Sequence, residues 1–158
     1  MKWLDFPIKE LKLGDKGYPR LLARIKNPPA RIFYRGNLDS SLFKKSIAVV
    51  GSRRMTRYGK DVIDKFVSVF AANNVATISG FMYGVDSQVH QKTVEYGGKT
   101  VAVFGCGLDV IYPQENDKLY TQILESGGAT ISEYEPKAKP HLWKFPQRNR
   151  IVAGLSSL

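Results

Sequence analysis

Cysteine is nearly missing from this chain: Cys106 stands alone among 158 residues, so no intrachain disulfide can form and a cytoplasmic setting is expected. No apolar run approaches the roughly 18 residues that a bilayer-spanning helix needs. Met1 to Leu13 mix Lys2, Asp5, Lys9 and Glu10 with apolar positions, so neither a secretory signal nor a membrane association is expected. Histidine is scarce as well. His90 and His141 do not stand at a zinc-like spacing from Cys106, and no metal or other cofactor is expected. Acidic side chains are also few, 14 against 24 Lys and Arg, for a formal charge of +10 and an isoelectric point near 9.7. That balance favours a polyanionic partner.

What is present suffices for one domain: 43% of the residues are apolar, enough for a real core. The charge is unevenly spread. Residues 1–45 carry eleven basic and four acidic side chains, residues 46–60 four and none, residues 61–136 four and ten, and residues 137–158 five and none. The middle is acidic. The basic segments form one patch only if the fold brings the lead, the first glycine turn and the C-terminal stretch together.

Residues 1–45 read as an irregular lead-in packed on the main domain, with Tyr18-Pro19, Asn27-Pro28-Pro29 and Gly36-Asn37 as turn signals and 31–35 as its one strand candidate. From residue 46 to 158 an apolar run, a glycine turn and an amphipathic stretch recur. Strands are expected at 47–50, 75–79, 100–104 and 129–132, each short and apolar enough to be covered on both faces. Helices are expected at 60–73, 87–96 and 115–126, the first turning Val62, Phe66, Val69 and Phe70 inward, the third Leu119, Ile123 and Leu124. Asn73-Asn74, Gly97-Gly98 and Gly127-Gly128 fall where helix C-caps belong. The alternation predicts an α/β fold, a Rossmann-like, doubly wound parallel sheet.

Ligands of such sheets bind beyond the carboxyl ends of the strands. There lie Gly51-Ser52-Arg53, Gly80 to Gly84 and Gly105-Cys106-Gly107. Gly51-Ser52-Arg53-Arg54 follows the run Ile47 to Val50 and is expected to open a helix, where unpaired N–H groups, the helix dipole and two guanidinium groups would hold phosphate. A dinucleotide site would need G-x-G-x-x-G here and an acid after the second strand, which instead ends Ile78-Ser79-Gly80. A triphosphatase loop is excluded too, because Gly59-Lys60 is followed by Asp61 and lacks the upstream glycine. Cys106 with His90 and Asp86 allows a nucleophile pair on paper, but a lone thiol between glycines is expected simply to fill space.

The stretch from Lys137 to Arg150 holds Lys137, Lys139, Lys144, Arg148 and Arg150, the aromatics Trp143 and Phe145, and no acid. Cations that follow a backbone and rings that accept any base suit single-stranded nucleic acid, whereas duplex readers usually present a recognition helix. Trp143 is expected under the sheet edge. Phe145 is open to either placement.

Ordered motifs then point to a family. Ile47 to Arg53 (IAVVGSR), Ile78 to Asp86 (ISGFMYGVD) with His90, Gly97 to Val103, Gly105 to Asp109, Tyr112 to Asn116, Ser132-Glu133-Tyr134 and Phe145 to Ser156 (FPQRNRIVAGLS) resemble, in order, the DNA-processing protein A (DprA, also Smf) family. Tyr18-Pro19 and Tyr34 to Asn37 resemble its lead-in. The resemblance implies a single-stranded DNA binding protein that helps load the RecA recombinase in natural transformation, a homodimer without known catalysis. It places DNA contacts at Gly51, Ser52 and Arg53, to which the charge adds Arg54, and at Lys144, Phe145, Arg148, Asn149 and Arg150. Phe81, Met82 and Tyr83 depart toward larger residues, which predicts a narrower groove. The chain stops after Gly154-Leu155-Ser156, where the family continues with further strands, so a truncated form is expected and its dimerisation and RecA contact are in doubt. The alternative is a nucleotide-cleaving enzyme of the lysine decarboxylase-like phosphoribohydrolase type, whose P-G-G-x-G-T-x-x-E motif is absent up to Leu158.

Overall fold

Short β-branched runs separated by amphipathic stretches leave the chain few ways to cover every apolar side chain, and it does so with helices on both faces of a single sheet. A computed structural model describes residues 1–158. The strands are β1 (Lys9–Lys12), β2 (Arg31–Gly36), β3 (Ser46–Ala48), β4 (Ala76–Ser79), β5 (Thr100–Val103) and β6 (Ala129–Ser132). The helices are α1 (Arg57–Ala72), α2 (Val85–Glu95), α3 (Asp117–Glu125) and α4 (Lys144–Gly154). Strand order is β1-β2-β6-β5-β4-β3, parallel from β6 to β3 and antiparallel at β1–β2 and β2–β6. The fold is Rossmann-like.

Register sorts the strand residues by face. Ile78 lies beside Val101, and Val103 beside Ile131. These four share one core with Tyr18, Leu22 and Ile32 of the lead-in and Ile151, Val152 and Leu155 at the end of α4. On the other face Ala102 and Phe104 join Phe33, Leu119, Tyr120 and Ile123, while Ile63 and Val67 of α1 meet Val89 of α2. Both faces are therefore apolar, the condition for near-continuous hydrophobic strands. Burying a side chain such as Ile131 fully contributes about 1.5–3 kcal/mol.

The lead-in is more regular than its composition predicts. Besides 31–35, extended here to Gly36, it supplies β1, whose Lys-Glu-Leu-Lys sequence shows no apolar alternation. Helix α1 is turned from its expected phase: Ile63 and Val67 are buried, whereas Phe66 and Val69 are 56% and 55% exposed. Apolar residues fill one broad half of this helix, and only the part of that arc toward α2 and β4 is covered. Asn74, Gly97 and Gly127, at the expected C-caps, all take positive φ.

Candidate nucleic-acid interface

β3 ends at Ala48, and the chain passes through Gly51-Ser52-Arg53-Arg54 before α1 begins at Arg57. The turn does not open the helix. Thr56 is the N-cap and its Oγ1 accepts from the Gly59 amide at 3.1 Å, so part of the helix end is already satisfied. The turn is instead held by bonds of its own and leaves three amides unpaired. Ser52 Oγ accepts from the Arg54 amide at 3.0 Å, and the Ser52 carbonyl accepts from Val85 N at 3.1 Å, which ties the turn to the start of α2. The amides of Gly51, Ser52 and Arg53 have no acceptor within the protein, and all three residues are exposed. Consecutive free N–H groups in a turn form a concavity suited to phosphate oxygens.

Across the carboxyl ends of β4 and β5 the turn meets α4. The Arg53 guanidinium carbon lies 5.6 Å from the centroid of the Phe145 ring, and that of Arg148 lies 5.9 Å from the same centroid. Phe145 is only 6% exposed, with Tyr112 5.6 Å away centroid to centroid. Gly105 makes this possible, because a Cβ there would stand 2.6 Å from the ring. Gly80 serves Arg148 in the same way, with only 2.7 Å between a Cβ and the guanidinium carbon. Two of the rim glycines are thus a bed for α4 as much as an opening for ligand.

Arg148 is buried. It donates from Nη1 to the Val103 carbonyl at 2.5 Å and from Nε to Asn149 Oδ1 at 3.1 Å, and Nη2 lies 4.0 Å from Asp86 Oδ2. Asp86 also receives the Met82 amide at 3.4 Å and lies 3.1 Å from Ser79 Oγ. Burial pushes the Asp86 carboxyl up despite the nearby guanidinium, and pushes Arg148 down despite the carboxylate. Desolvation thus outweighs the attraction between these two groups.

Two further cations of the stretch, Lys144 and Arg150, are also occupied. Lys144 is 7% exposed; its Nζ donates to the Lys139 carbonyl at 2.7 Å and sits 4.5 Å from the centroid of Tyr134. Arg150 grips Glu133 through both oxygens at 2.7 and 2.6 Å and also donates to the Asn27 carbonyl at 3.1 Å; the hydrogen bonds to Glu133 push the guanidinium pKa further up. Arg53, Arg54 and Asn149 are exposed. Of the nine residues singled out from sequence, Gly51 to Arg54 and Asn149 face solvent, while Phe145 and Arg148 lie beneath Arg53. Lys144 and Arg150 turn toward the 133–139 segment.

Three other expectations resolve. Trp143 is not under the sheet edge but 60% exposed. Phe81 and Met82 point into the core, Phe81 stacked on Phe104 at 4.5 Å, so only Tyr83 of that loop lies outside, bonded to Glu115 at 2.9 Å. Both nitrogens of His90 are engaged, Nε2 with the Gly80 carbonyl and Nδ1 with Thr100 Oγ1, each at 2.6 Å. Since a carbonyl only accepts, Nε2 carries the proton. Burial pushes this imidazole down to about 4, and pushes the Cys106 thiol, which faces the Val110 carbonyl at 3.3 Å, up to about 11. Cys106 and His90 are therefore built into packing rather than paired as a nucleophile and base.

Residues 9–158 match the model of the family described as DNA recombination-mediator protein A. The chain belongs to that family. It is 41% identical over 141 residues to the DNA processing protein DprA of Streptococcus pneumoniae, covering 89% of this chain and 49% of that relative. With the protein Smf of Borreliella burgdorferi it shares 43% over 145 residues, 91% of this chain and 46% of the other. The chain spans about half the length of these curated relatives. The X-ray structure of the S. pneumoniae protein superposes with a TM-score of 0.83 at 39% identity, over 98% of this chain and 53% of that one. DNA processing protein A of Helicobacter pylori, whose structure is described for its single-stranded DNA binding mode, superposes at 0.83 with 30% identity, over 97% and 67% of the two chains. The S. pneumoniae and H. pylori relatives are DNA processing proteins by name.

Proposed function

We propose that this chain binds single-stranded DNA along the carboxyl-end rim of its sheet, and that it does so as the part of a recombination mediator that holds the strand for loading of RecA in natural transformation. The observation that carries the reading is the approach of Arg53 to Phe145, which joins the exposed turn after β3 to the basic start of α4 at one place. In this reading the free amides of Gly51, Ser52 and Arg53, together with the Arg53 and Arg54 side chains, take the phosphates. Asn149 lies against the strand, Phe145 supports Arg53 from beneath, and Lys144, Arg148 and Arg150 hold α4 and the 133–139 segment in position. The binding mode attributed to the H. pylori relative supports the choice of a single strand.

Fluorescence anisotropy with a labelled oligothymidylate tests it. Arg53→Ala is expected to weaken binding roughly tenfold, the loss of one charge-assisted hydrogen bond. Each phosphate released from its counterions should contribute about −0.7 to the log–log salt slope. Unchanged affinity in Arg53→Ala, or a flat salt dependence, overturns the proposal.

A further inference from the structure

Strand order converts chain positions into places along the rim. The carboxyl ends of β3, β4, β5 and β6 lie side by side, and their exits carry in turn Arg53, Gly80 with Arg148, Gly105 with Phe145, and Tyr134 with Trp143. Three strand spacings separate the first exit from the last, a span of about 14 Å. The β6 end is an open aromatic surface. Trp143 is 60% exposed, stacked beside His141 with centroids 6.4 Å apart and planes 13° apart, and it meets Tyr134 edge-on at 6.3 Å. Lys144 Nζ sits 5.7 Å from the Trp143 ring centroid, on the same loop.

The charge around it favours an anion. Glu133 is neutralised by Arg150, and Glu135 by Arg31, whereas Lys137 and Lys139 are exposed and in no ion pair. An exposed indole on a segment that also carries the unpaired Lys137 and Lys139, one rim-length from an unpaired set of backbone amides, has the composition of a base-stacking platform on a polyanion track.

We propose that Trp143 is a second nucleobase site: a single strand anchored by its phosphates at Gly51 to Arg53 runs across the strand ends, perpendicular to the sheet's strands, and stacks a base on the Trp143 indole. This rests on the preceding reading of the rim as a single-strand site and adds the path, the length and the ring at the far end. Trp143 makes no covalent step; its contribution is base contact without sequence preference, since every base presents a π-face.

The test compares a twelve-nucleotide oligothymidylate with an abasic twelve-mer of the same backbone charge. Trp143→Ala is expected to weaken the thymidylate at least fivefold and leave the abasic strand within twofold, while Trp143→Phe keeps thymidylate affinity within twofold of the parent chain. Arg53→Ala should weaken both strands alike. Because Trp3 is 3% exposed and stacked on Tyr120, its emission is a constant background, and the thymidylate-dependent quenching expected in the parent chain but not in Trp143→Phe reports on Trp143. If Arg53→Ala weakens both strands but Trp143→Ala changes neither, the platform is refuted and the single-strand reading stands. If neither substitution matters, both fall.

Discussion

The two basic segments of the rim are alike in sequence and opposite in construction. After β3, Arg53 and Arg54 stand in solvent on a turn whose backbone amides are also unclaimed. At the start of α4, Lys144, Arg148 and Arg150 are each bonded to carbonyls or carboxylates of the protein. The first segment has its charge to offer a ligand, whereas the second spends its charge on holding a helix against the strand ends. A count of cations cannot distinguish these roles, because it does not show which cations find partners, and Arg148 finds Asp86 across 62 residues of chain.

Breaking the second segment should therefore cost folding rather than binding. Arg148→Ala removes a buried guanidinium and strands Asp86, a loss of about 3–5 kcal/mol by the measure of broken buried pairs. Denaturant unfolding would read it, and the double variant Arg148→Met with Asp86→Asn should recover part of the loss. An unchanged midpoint in Arg148→Ala would show that this cation is as free as Arg53.

Acid should expose the same interior. His90 is held neutral with its pKa near 4 instead of 6.5, so the unfolded chain binds more protons between those values. Its contribution is complete above about pH 6.5 and is lost as the pH falls toward 4, a total of about 3 kcal/mol. The raised pKa of Asp86 acts in the opposite sense at the acid end, because its carboxyl takes a proton more readily in the folded state. Unfolding free energy measured from pH 7 to 4 should fall, and His90→Gln should flatten the decline. A flat profile in the parent chain would mean the imidazole titrates freely.

A smaller effect sharpens the comparison at the contact itself. Gly105→Ala drives a Cβ into the Phe145 ring and should cost about 1–3 kcal/mol as an overpacked site. Some of that strain should appear as weaker DNA binding, because Phe145 supports Arg53. Smallest of all, Arg54→Ala removes an exposed charge and should leave the melting temperature unchanged while lowering affinity only a few-fold. A drop in its melting temperature would place Arg54 among the structural cations instead.

Much of the scaffold was legible because its signals are local. Each parallel strand is a short apolar run followed by a turn, and Asn74, Gly97 and Gly127 close the helices where a left-handed residue was expected. What stayed hidden was set by neighbours. Helix α1 is apolar over about half its circumference, a wider arc than its neighbours cover, so its sequence could not tell which part of that arc would meet α2. β1 carries three charged residues in four and is defined by pairing with β2, not by a hydrophobic pattern. α4 begins among Lys144, Phe145 and Pro146, where no helix was expected, although proline is tolerated in a first helical turn. The site was half legible. Gly51 to Arg54 could be read from residue type, whereas the burial of Arg148 and the exposure of Trp143 follow from which strand end each one reaches.

A single strand lying along one rim from the β3 turn to the β6 exit should be visible in backbone and indole NMR shifts during titration with the twelve-nucleotide oligothymidylate. The amides of Gly51, Ser52 and Arg53 and the Trp143 indole are expected to move together with a common affinity. Shifts confined to the opposite end of the sheet, around the cleft of about 270 Å³ lined by Asn74, Gly97 and Lys99, would contradict it.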